Sequence, residues 1–250
     1  MKTYLKAANF LLGAVLALNV WASRSEAEAI TMTFGASTPP YAFPETGRGI
    51  EVDIIREALA LHGHQLEPVF VPARRIAFEF IQGKVDAASK DQGEDLTKHG
   101  GLYGNVSVKF QDVIFTLKDR ELDISQPTDL QDLRVVAFQN ASKHYGEWLS
   151  PLTENENYTE TADQSLQVKM LHRGRADAIV ADRNIIQYLT KLVAEEGKIT
   201  IQDVQISDFA DPWGYSPIFK SDELRDQFNA GLQTLIASGR YQEIIDSYVN

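Results

Sequence analysis

Amphipathic segments and short apolar segments alternate along most of this 250-residue chain. Residues 165–173 place apolar side chains at helical spacing, and Ala178 to Ala181 is an unbroken apolar run. The first pattern predicts a helix, and the second predicts a strand that is covered on both faces. Gly174 lies between them, at a position where helices commonly end in a left-handed residue. This order predicts a helix followed by a buried strand.

The same order occurs about ninety residues earlier. Residues 74–82 predict a helix that ends at Gly83, and residues 85–89 predict another buried strand. Two copies of one arrangement favour two similar α/β lobes, although a glycine next to a charged residue is common between helices and strands.

The remaining segments continue the alternation of strands and helices. Residues 155–159 are too polar for either a strand or a helix and are interpreted as a connection between two elements. Strands that alternate with helices predict an α/β fold with largely parallel sheets. Further strands are predicted at 31–37, 65–71, 109–117, 134–139, 200–206 and up to residue 220, and further helices at 50–62, from 140, at 183–193 and from 224 to the end.

The first 22 residues are predicted to be a signal peptide and not part of the fold. Lys2 and Lys6 precede an uncharged, mostly apolar run from residue 7 to 22. Cleavage is expected after Ala22, with a second suitable site as late as Ala29. The apolar run is shorter than the roughly 20 residues of a spanning helix, which disfavours an uncleaved anchor. We therefore expect a soluble, periplasmic mature protein.

Composition and charge exclude several functions. The formal net charge of −11 disfavours binding to nucleic acid or to an anionic membrane. The chain has no cysteine, which excludes disulfides, thiolate zinc sites, a cysteine nucleophile and a lipid-anchored cysteine. The histidines lack the spacing of metal ligands, so we expect neither a metal nor another cofactor.

Two segments carry candidate binding residues. The loop at residues 38–44 holds three prolines together with Tyr41 and Phe43, which suits either a preformed binding surface or a packed surface turn. Arg74 and Arg75 begin a predicted helix, where the helix dipole disfavours positive charge. They are either anion ligands or an ordinary surface pair.

Asp182 follows the buried strand that ends at Ala181. Ligands in open α/β sheets bind just outside the carboxyl ends of the strands, which favours a ligand contact. Aspartate is also a common N-cap, and the next predicted helix starts at Arg183. Both roles are compatible.

Six short motifs, in this order and spacing, resemble those of a known family. The chain resembles the extracytoplasmic solute-binding proteins of bacterial uptake transporters, in the amino-acid-binding branch of the two-lobed, two-hinge class. The motifs are Pro39-Pro40-Tyr41-Ala42-Phe43, Gly49-Ile50-Glu51-Val52-Asp53-Ile54, Gly83-Lys84-Val85-Asp86-Ala87, Asp129-Leu130-Gln131-Asp132-Leu133-Arg134-Val135, Gly174-Arg175-Ala176-Asp177-Ala178 and Ser238-Gly239-Arg240-Tyr241.

The resemblance implies the two-lobed periplasmic-binding-protein fold (type II), with two mixed, mostly parallel sheets joined by two hinge crossings. Residues 30–110 and 212–250 would form lobe 1, and residues 111–211 would form lobe 2. A solute would bind between the lobes, and hinge bending would close the cleft. The protein would act as a monomer that delivers its solute to a membrane permease, or alternatively to a membrane sensor.

The resemblance also implies roles for single residues. In the family, an aromatic side chain that matches Tyr41 stacks on the ligand, with Phe43 nearby, and an aspartate that matches Asp182 binds its ammonium group. The family's carboxylate-binding arginine has no counterpart, because no arginine occurs between Arg75 and Arg120. Arg75, together with the adjacent Arg74, or Lys90 could replace it. We expect a small polar, amino-acid-like solute bearing a carboxylate, and no catalysis.

An enzyme is the main alternative function. The same fold includes periplasmic enzymes similar to cyclohexadienyl dehydratase, in which a carboxyl group in the cleft acts as general acid. Glu45, Asp163 or Asp182 could take that role here. Each would need a pKa raised by burial.

Overall fold

The computed structural model describes residues 29–36 and 38–250. The predicted signal peptide at residues 1–22 lies outside the described residues, as does Ser37 at the end of the predicted first strand. Within the described part of the chain, none of the helices has the length and apolar character needed to cross a membrane.

Twelve strands form two five-stranded sheets and one two-stranded ribbon in the described residues. In chain order they are β1 (Ala29–Gly35), β2 (Gln65–Val71), β3 (Ala87–Ala88), β4 (Leu102–Tyr103), β5 (Val108–Phe110), β6 (Asp112–Leu117), β7 (Val135–Phe138), β8 (Tyr158–Thr161), β9 (Ala178–Asp182), β10 (Val204–Asp208), β11 (Trp213–Tyr215) and β12 (Ile218–Phe219).

Eight α-helices connect and cover these strands in the described residues. They are α1 (Ile50–Ala60), α2 (Ile76–Ile81), α3 (Ala141–His144), α4 (Gly146–Leu149), α5 (Gln164–His172), α6 (Arg183–Glu195), α7 (Asp222–Ser238) and α8 (Arg240–Val249). The predicted α/β class is therefore confirmed.

The first sheet has the order β2-β1-β3-β12-β4. β1 is parallel to β2 and β3, whereas β12 is antiparallel to β3 and β4. Helix α1 buries Ile50, Ile54 and Ala58, which share one face at helical spacing, in the core below this sheet. Helix α7 crosses α1 closely because Gly231 has no side chain to displace the backbone of Ala58.

The second sheet has the order β10-β6-β9-β7-β8. β7 is parallel to β8 and β9, whereas β6 is antiparallel to β9 and β10. The interpretation of residues 155–159 as a connection holds for residues 155–157 and was wrong for the last two, because Tyr158–Thr161 forms edge strand β8. This edge strand is only partly buried, so its sequence lacks the apolar pattern of a central strand.

The ribbon of β5 and β11 joins the two halves of the molecule. Phe110 pairs with Trp213 and Val108 pairs with Tyr215 in antiparallel register. The first sheet contains strands from both before and after the second sheet, which is the order expected for two lobes with two crossings. The exact lobe bounds, 30–110 with 212–250 and 111–211, stay a prediction.

Candidate functional site

One edge of the second sheet collects polar side chains from four strands. The parallel strands β7, β8 and β9 all have their carboxyl ends at this edge. Since β6 runs the opposite way, it begins there, and Asp112 pairs with Asp182 in the register. This edge is where open α/β sheets bind ligands.

A cavity of about 310 Å³ lies between this edge and the ribbon of β5 and β11. Its volume is at the lower end of the range of small-molecule sites. Its lining combines carboxylates, amides and aromatic rings. The lining residues are Phe110, Asp112, Phe138, Gln139, Asn140, His144, Gln164, Asp182, Ile185, Trp213 and Tyr215. We call this cavity the cleft.

Asp182 is the most constrained side chain of the cleft. Its Oδ1 accepts hydrogen bonds from the backbone amide of Ile185 and from the hydroxyl of Tyr41, both at 2.9 Å. Its Oδ2 accepts one from the backbone amide of Gln111 at 3.0 Å. Asp182 is therefore the N-cap of α6 and also lines the cleft, so the two roles considered from the sequence occur together.

Burial raises the pKa of Asp182 to about 6. The hydrogen bonds from Ile185, Gln111 and Tyr41 act in the opposite direction, and the nearby charge of Asp112 adds to the increase. An isolated carboxyl group in water has a pKa near 3.9. A positive charge in the cleft would stabilise the ionised form of Asp182.

Asp112 is the second buried carboxylate of the cleft. Its Oδ2 accepts a hydrogen bond from the hydroxyl of Tyr145 at 2.6 Å and a longer one from Nε1 of Trp213 at 3.4 Å. Both side-chain hydrogen bonds observed for Asp112 in the described residues end on Oδ2. Its Oδ1 can therefore accept a hydrogen bond from a further donor, such as a solute.

Aromatic rings form one wall of the cleft. Phe110 and Trp213 are stacked, with ring centroids 4.9 Å apart, and Tyr215 meets Trp213 edge-on at 5.4 Å. His144 contacts Trp213 from the second lobe at 5.5 Å. We call Phe110, Trp213 and Tyr215 the aromatic wall.

Tyr41 lies behind this wall and is fully buried. Its ring packs on Phe110 at 4.2 Å, and its hydroxyl accepts a hydrogen bond from Nδ2 of Asn184 at 3.1 Å. Burial, with the charge of Asp182, raises the pKa of Tyr41 above its usual range. Tyr41 thus supports the cleft from behind and does not line it.

Phe43 lies away from the cleft. Its ring stacks on Tyr248 of α8 at 5.9 Å and meets Tyr188 of α6 edge-on at 5.6 Å. The structure therefore brings Tyr41 and Asp182 together but places Phe43 in a separate aromatic contact.

Lys90 is buried on the lobe 1 side of the aromatic wall. Its Nζ lies 3.6 Å from Oε2 of Glu51 and 4.6 Å from the ring centroid of Tyr215. Burial raises the pKa of Glu51, and Lys90 opposes that increase. Because Glu51 compensates its charge, Lys90 is not an uncompensated cation.

Arg74 and Arg75 lie in a 3-10 turn (Ala73–Arg75) directly before α2, and both are exposed. Arg75 pairs with Glu79 one turn along, and 52% of its side chain remains accessible. Neither Arg74 nor Arg75 lines the cleft.

A larger cavity of about 440 Å³ lies elsewhere in the second lobe, between α5, α6 and β10. Its walls are mostly aliphatic, from residues such as Val168, Ile186 and Val204. We assign the candidate site to the smaller cleft, because that cavity lies at the carboxyl ends of β7, β8 and β9 and contains two buried carboxylates. No cluster of three or more His, Asp or Glu side chains in residues 29–36 and 38–250 could hold a metal ion.

Sequence reasoning missed Asp112 and the aromatic wall as site residues. The available signal was their position, because Phe110 and Trp213 flank the two predicted hinge crossings. Of the side chains at these crossings, those of Phe110, Trp213 and Tyr215 line the cleft.

Comparison with known proteins identifies the family. The family model described as "Bacterial extracellular solute-binding proteins, family 3" matches residues 30–250. An arginine-binding periplasmic protein from Mannheimia haemolytica is 26% identical over 125 residues, which are 49% of this chain and 51% of that protein. The match thus spans about half the length of that curated relative.

Solved structures share the fold at low identity. An ancestral cationic amino acid solute-binding protein superposes with a TM-score of 0.68 at 20% identity, covering 89% of this chain and 96% of the other. A polar amino acid transporter substrate-binding protein from Streptococcus thermophilus gives 0.69 at 17% identity, covering 88% and 86%. These likenesses confirm the predicted two-lobed type II fold.

Proposed function

Because the chain belongs to family 3 of the bacterial extracellular solute-binding proteins, we propose that it captures a small polar solute in the cleft and delivers it to a membrane transporter. The solute would be amino-acid-like and would carry an amino group. Two α/β lobes joined by a two-stranded ribbon can close around such a molecule by hinge bending.

The observation that carries this proposal is the position of Asp182. It is a buried carboxylate at the carboxyl end of a central strand, it lines the cleft, and its geometry is set by three hydrogen bonds. An ammonium group would form a charge-assisted hydrogen bond with it, which is stronger than a bond between neutral groups. The name of the Mannheimia haemolytica relative supports both a periplasmic location and a solute with an amino group.

The predicted carboxylate on the solute has weaker support. Arg75 is paired with Glu79 and Lys90 is paired with Glu51, so each is already compensated by an acid.

Thermal unfolding of protein purified from the periplasmic fraction tests the proposal. Amino acids, amines and small carboxylates would be added one at a time. A solute at about 100 times its dissociation constant should stabilise the protein by about 2.7 kcal/mol. Asp182→Asn should abolish this shift for amino-bearing solutes. Asp211→Asn, which changes an exposed aspartate outside the cleft, should preserve it. The proposal fails if no solute stabilises the protein, or if Asp182→Asn binds normally.

An enzyme is the second candidate, and one observation favours it. The raised pKa of Asp182, to about 6, is a property of a general acid. Of the other two acids considered, Glu45 is exposed, and Asp163 is an exposed N-cap of α5 whose pKa is lowered by its hydrogen bond with Ser165. Conversion of prephenate or arogenate by the purified protein would favour the enzyme. Saturable binding without product would favour the solute-binding protein.

A further inference from the structure

We propose that the cleft recognises an organic cation through its positively charged nitrogen, and that it does not require a carboxylate on the solute. This inference rests on the proposed function and names its solute class as amines. It is carried by the charges of the lining residues and by the aromatic wall.

The charged residues that line the cleft are both acidic. Asp112 and Asp182 lie opposite each other in the register of β6 and β9, and both are almost fully buried. Among the described residues, no lysine or arginine lines this cavity. Two carboxylates in a partly desolvated site disfavour an anionic group on the solute and favour a cationic one.

The aromatic wall adds a second feature that suits a cation. Aromatic faces carry negative electrostatic potential, and ammonium groups bind over them within about 6 Å of the ring centroid. Phe110, Trp213 and Tyr215 line the cleft together with the two carboxylates. The rings and the two carboxylates therefore surround the same cavity, so that one solute could contact both kinds of group.

The cations nearest to this wall do not provide an alternative anion site. Lys90 lies close to Tyr215, but Glu51 pairs with its ammonium group. Arg183 lies at the start of α6 and pairs with Asp208 at 2.9 Å. A solute carboxylate would therefore meet cations that are already paired with acids, whereas an ammonium group in the cleft would meet two carboxylates.

Matched pairs of solutes test the inference directly. Arginine and agmatine share the same guanidinium group and differ by the carboxylate, and lysine and cadaverine differ in the same way. Isothermal titration of the protein purified from the periplasmic fraction would give the affinity for each. We expect agmatine, cadaverine or both to bind. The dissociation constant of the amine that binds should be at most tenfold higher than that of its parent amino acid.

Variants then identify the residues responsible. Asp112→Asn should weaken amine binding at least tenfold, whereas Asp211→Asn, with the same change in net charge at an exposed site, should change it less than twofold. Trp213→Leu should weaken amine binding at least tenfold. Trp148→Leu is its control, because Trp148 packs on Phe209 outside the cleft. Trp213→Phe keeps an aromatic ring and should retain most of the affinity, which separates loss of the ring from loss of folding.

Three results would overturn the inference while the proposed function stands. The first is that both amino acids bind and each binds more than tenfold tighter than its amine. The second is that neutral solutes such as glutamine bind and amines do not. The third is that Asp112→Asn and Trp213→Leu, both folded by circular dichroism, bind amines as tightly as their controls. If no solute of any class binds, the proposed function itself fails.

Discussion

The hydroxyl of Tyr41 donates a hydrogen bond of 2.9 Å to Oδ1 of Asp182, across 141 residues of sequence. This bond connects the loop after β1 in the first lobe to the end of β9 in the second. The loop and the strand end therefore meet at the back of the cleft, where Tyr41 also supports Phe110.

Tyr41→Phe should lower the free energy of unfolding by about 1.5–3 kcal/mol, because it removes a donor from a buried carboxylate. Urea denaturation at pH 7 would measure the loss. Tyr103→Phe is a matched control, since the hydroxyl of Tyr103 donates to the less buried Asp91 at 2.9 Å. Equal losses in the free energy of unfolding of the two variants would contradict the prediction that the buried bond between Tyr41 and Asp182 contributes more.

Asp182 should make the folded state less stable as the pH rises from about 4 to about 6. Its pKa of about 6 in the folded protein exceeds the value near 3.9 expected in the unfolded chain. The folded state therefore holds the proton more tightly over this range, and stability falls as the proton leaves. Relative to Asp182→Asn, the wild type should lose roughly 2–3 kcal/mol between pH 4 and pH 7.

Urea denaturation of both proteins at several pH values would measure this difference. Taking the difference cancels groups with the opposite behaviour, such as Asp177, whose pKa is lowered by its ion pair with Arg134. A difference that stays constant, or that favours the wild type as the pH rises, would contradict the prediction.

Lys90→Met should destabilise the protein by about 3–5 kcal/mol, because it leaves the buried carboxylate of Glu51 without its partner. The double variant Lys90→Met/Glu51→Gln should recover much of this loss, since it removes both charges. Chemical denaturation of the four proteins in this double-mutant cycle would measure the recovery. A double variant that is no more stable than Lys90→Met would contradict the pairing.

Arg75→Ala should leave solute affinity unchanged within about twofold, because Arg75 is exposed and paired with Glu79 and does not line the cleft. Titration calorimetry with the best solute would measure the affinity. A loss of about 1.5–3 kcal/mol, the value of one charge-assisted contact, would instead support Arg75 as the anion ligand considered from the sequence.

Gly49→Ala should destabilise the protein by about 2–4 kcal/mol, which is in the range of strained backbone substitutions. Gly49 has φ +137°, and an added Cβ would lie 2.7 Å from Cα of Ala42 and closer still to the carbonyl group of Tyr41. Gly174→Ala is the control, because Gly174 also has positive φ but an added Cβ would meet no atom within 4 Å. It should cost only about 1–2 kcal/mol. Thermal unfolding of both variants would show the difference, and equal losses would contradict the role of the contact with Tyr41.

Local sequence patterns were sufficient for the helices and strands that have a regular apolar face. Helix α1 begins at Ile50 and strand β2 spans Gln65–Val71, both as predicted, because the spacing of apolar side chains in the sequence identifies each element. Strand β8 was missed, although edge strand β2 was found, because its four residues include only one large apolar side chain, that of Tyr158. Strand β2 places Leu66 and Phe70 on one face, and this alternation made it visible in the sequence.

The sequence by itself determined the α/β class, the alternation of strands and helices, and the position of Asp182 at the end of a buried strand. These depend on neighbours along the chain. Only the tertiary structure decided that Asp112 lies opposite Asp182, that Phe110 stacks on Trp213, and that Glu51 pairs with Lys90. Each of these pairs joins segments about 40 to 100 residues apart in sequence, and their contacts are set by sheet register and lobe packing. No local pattern encodes such a contact.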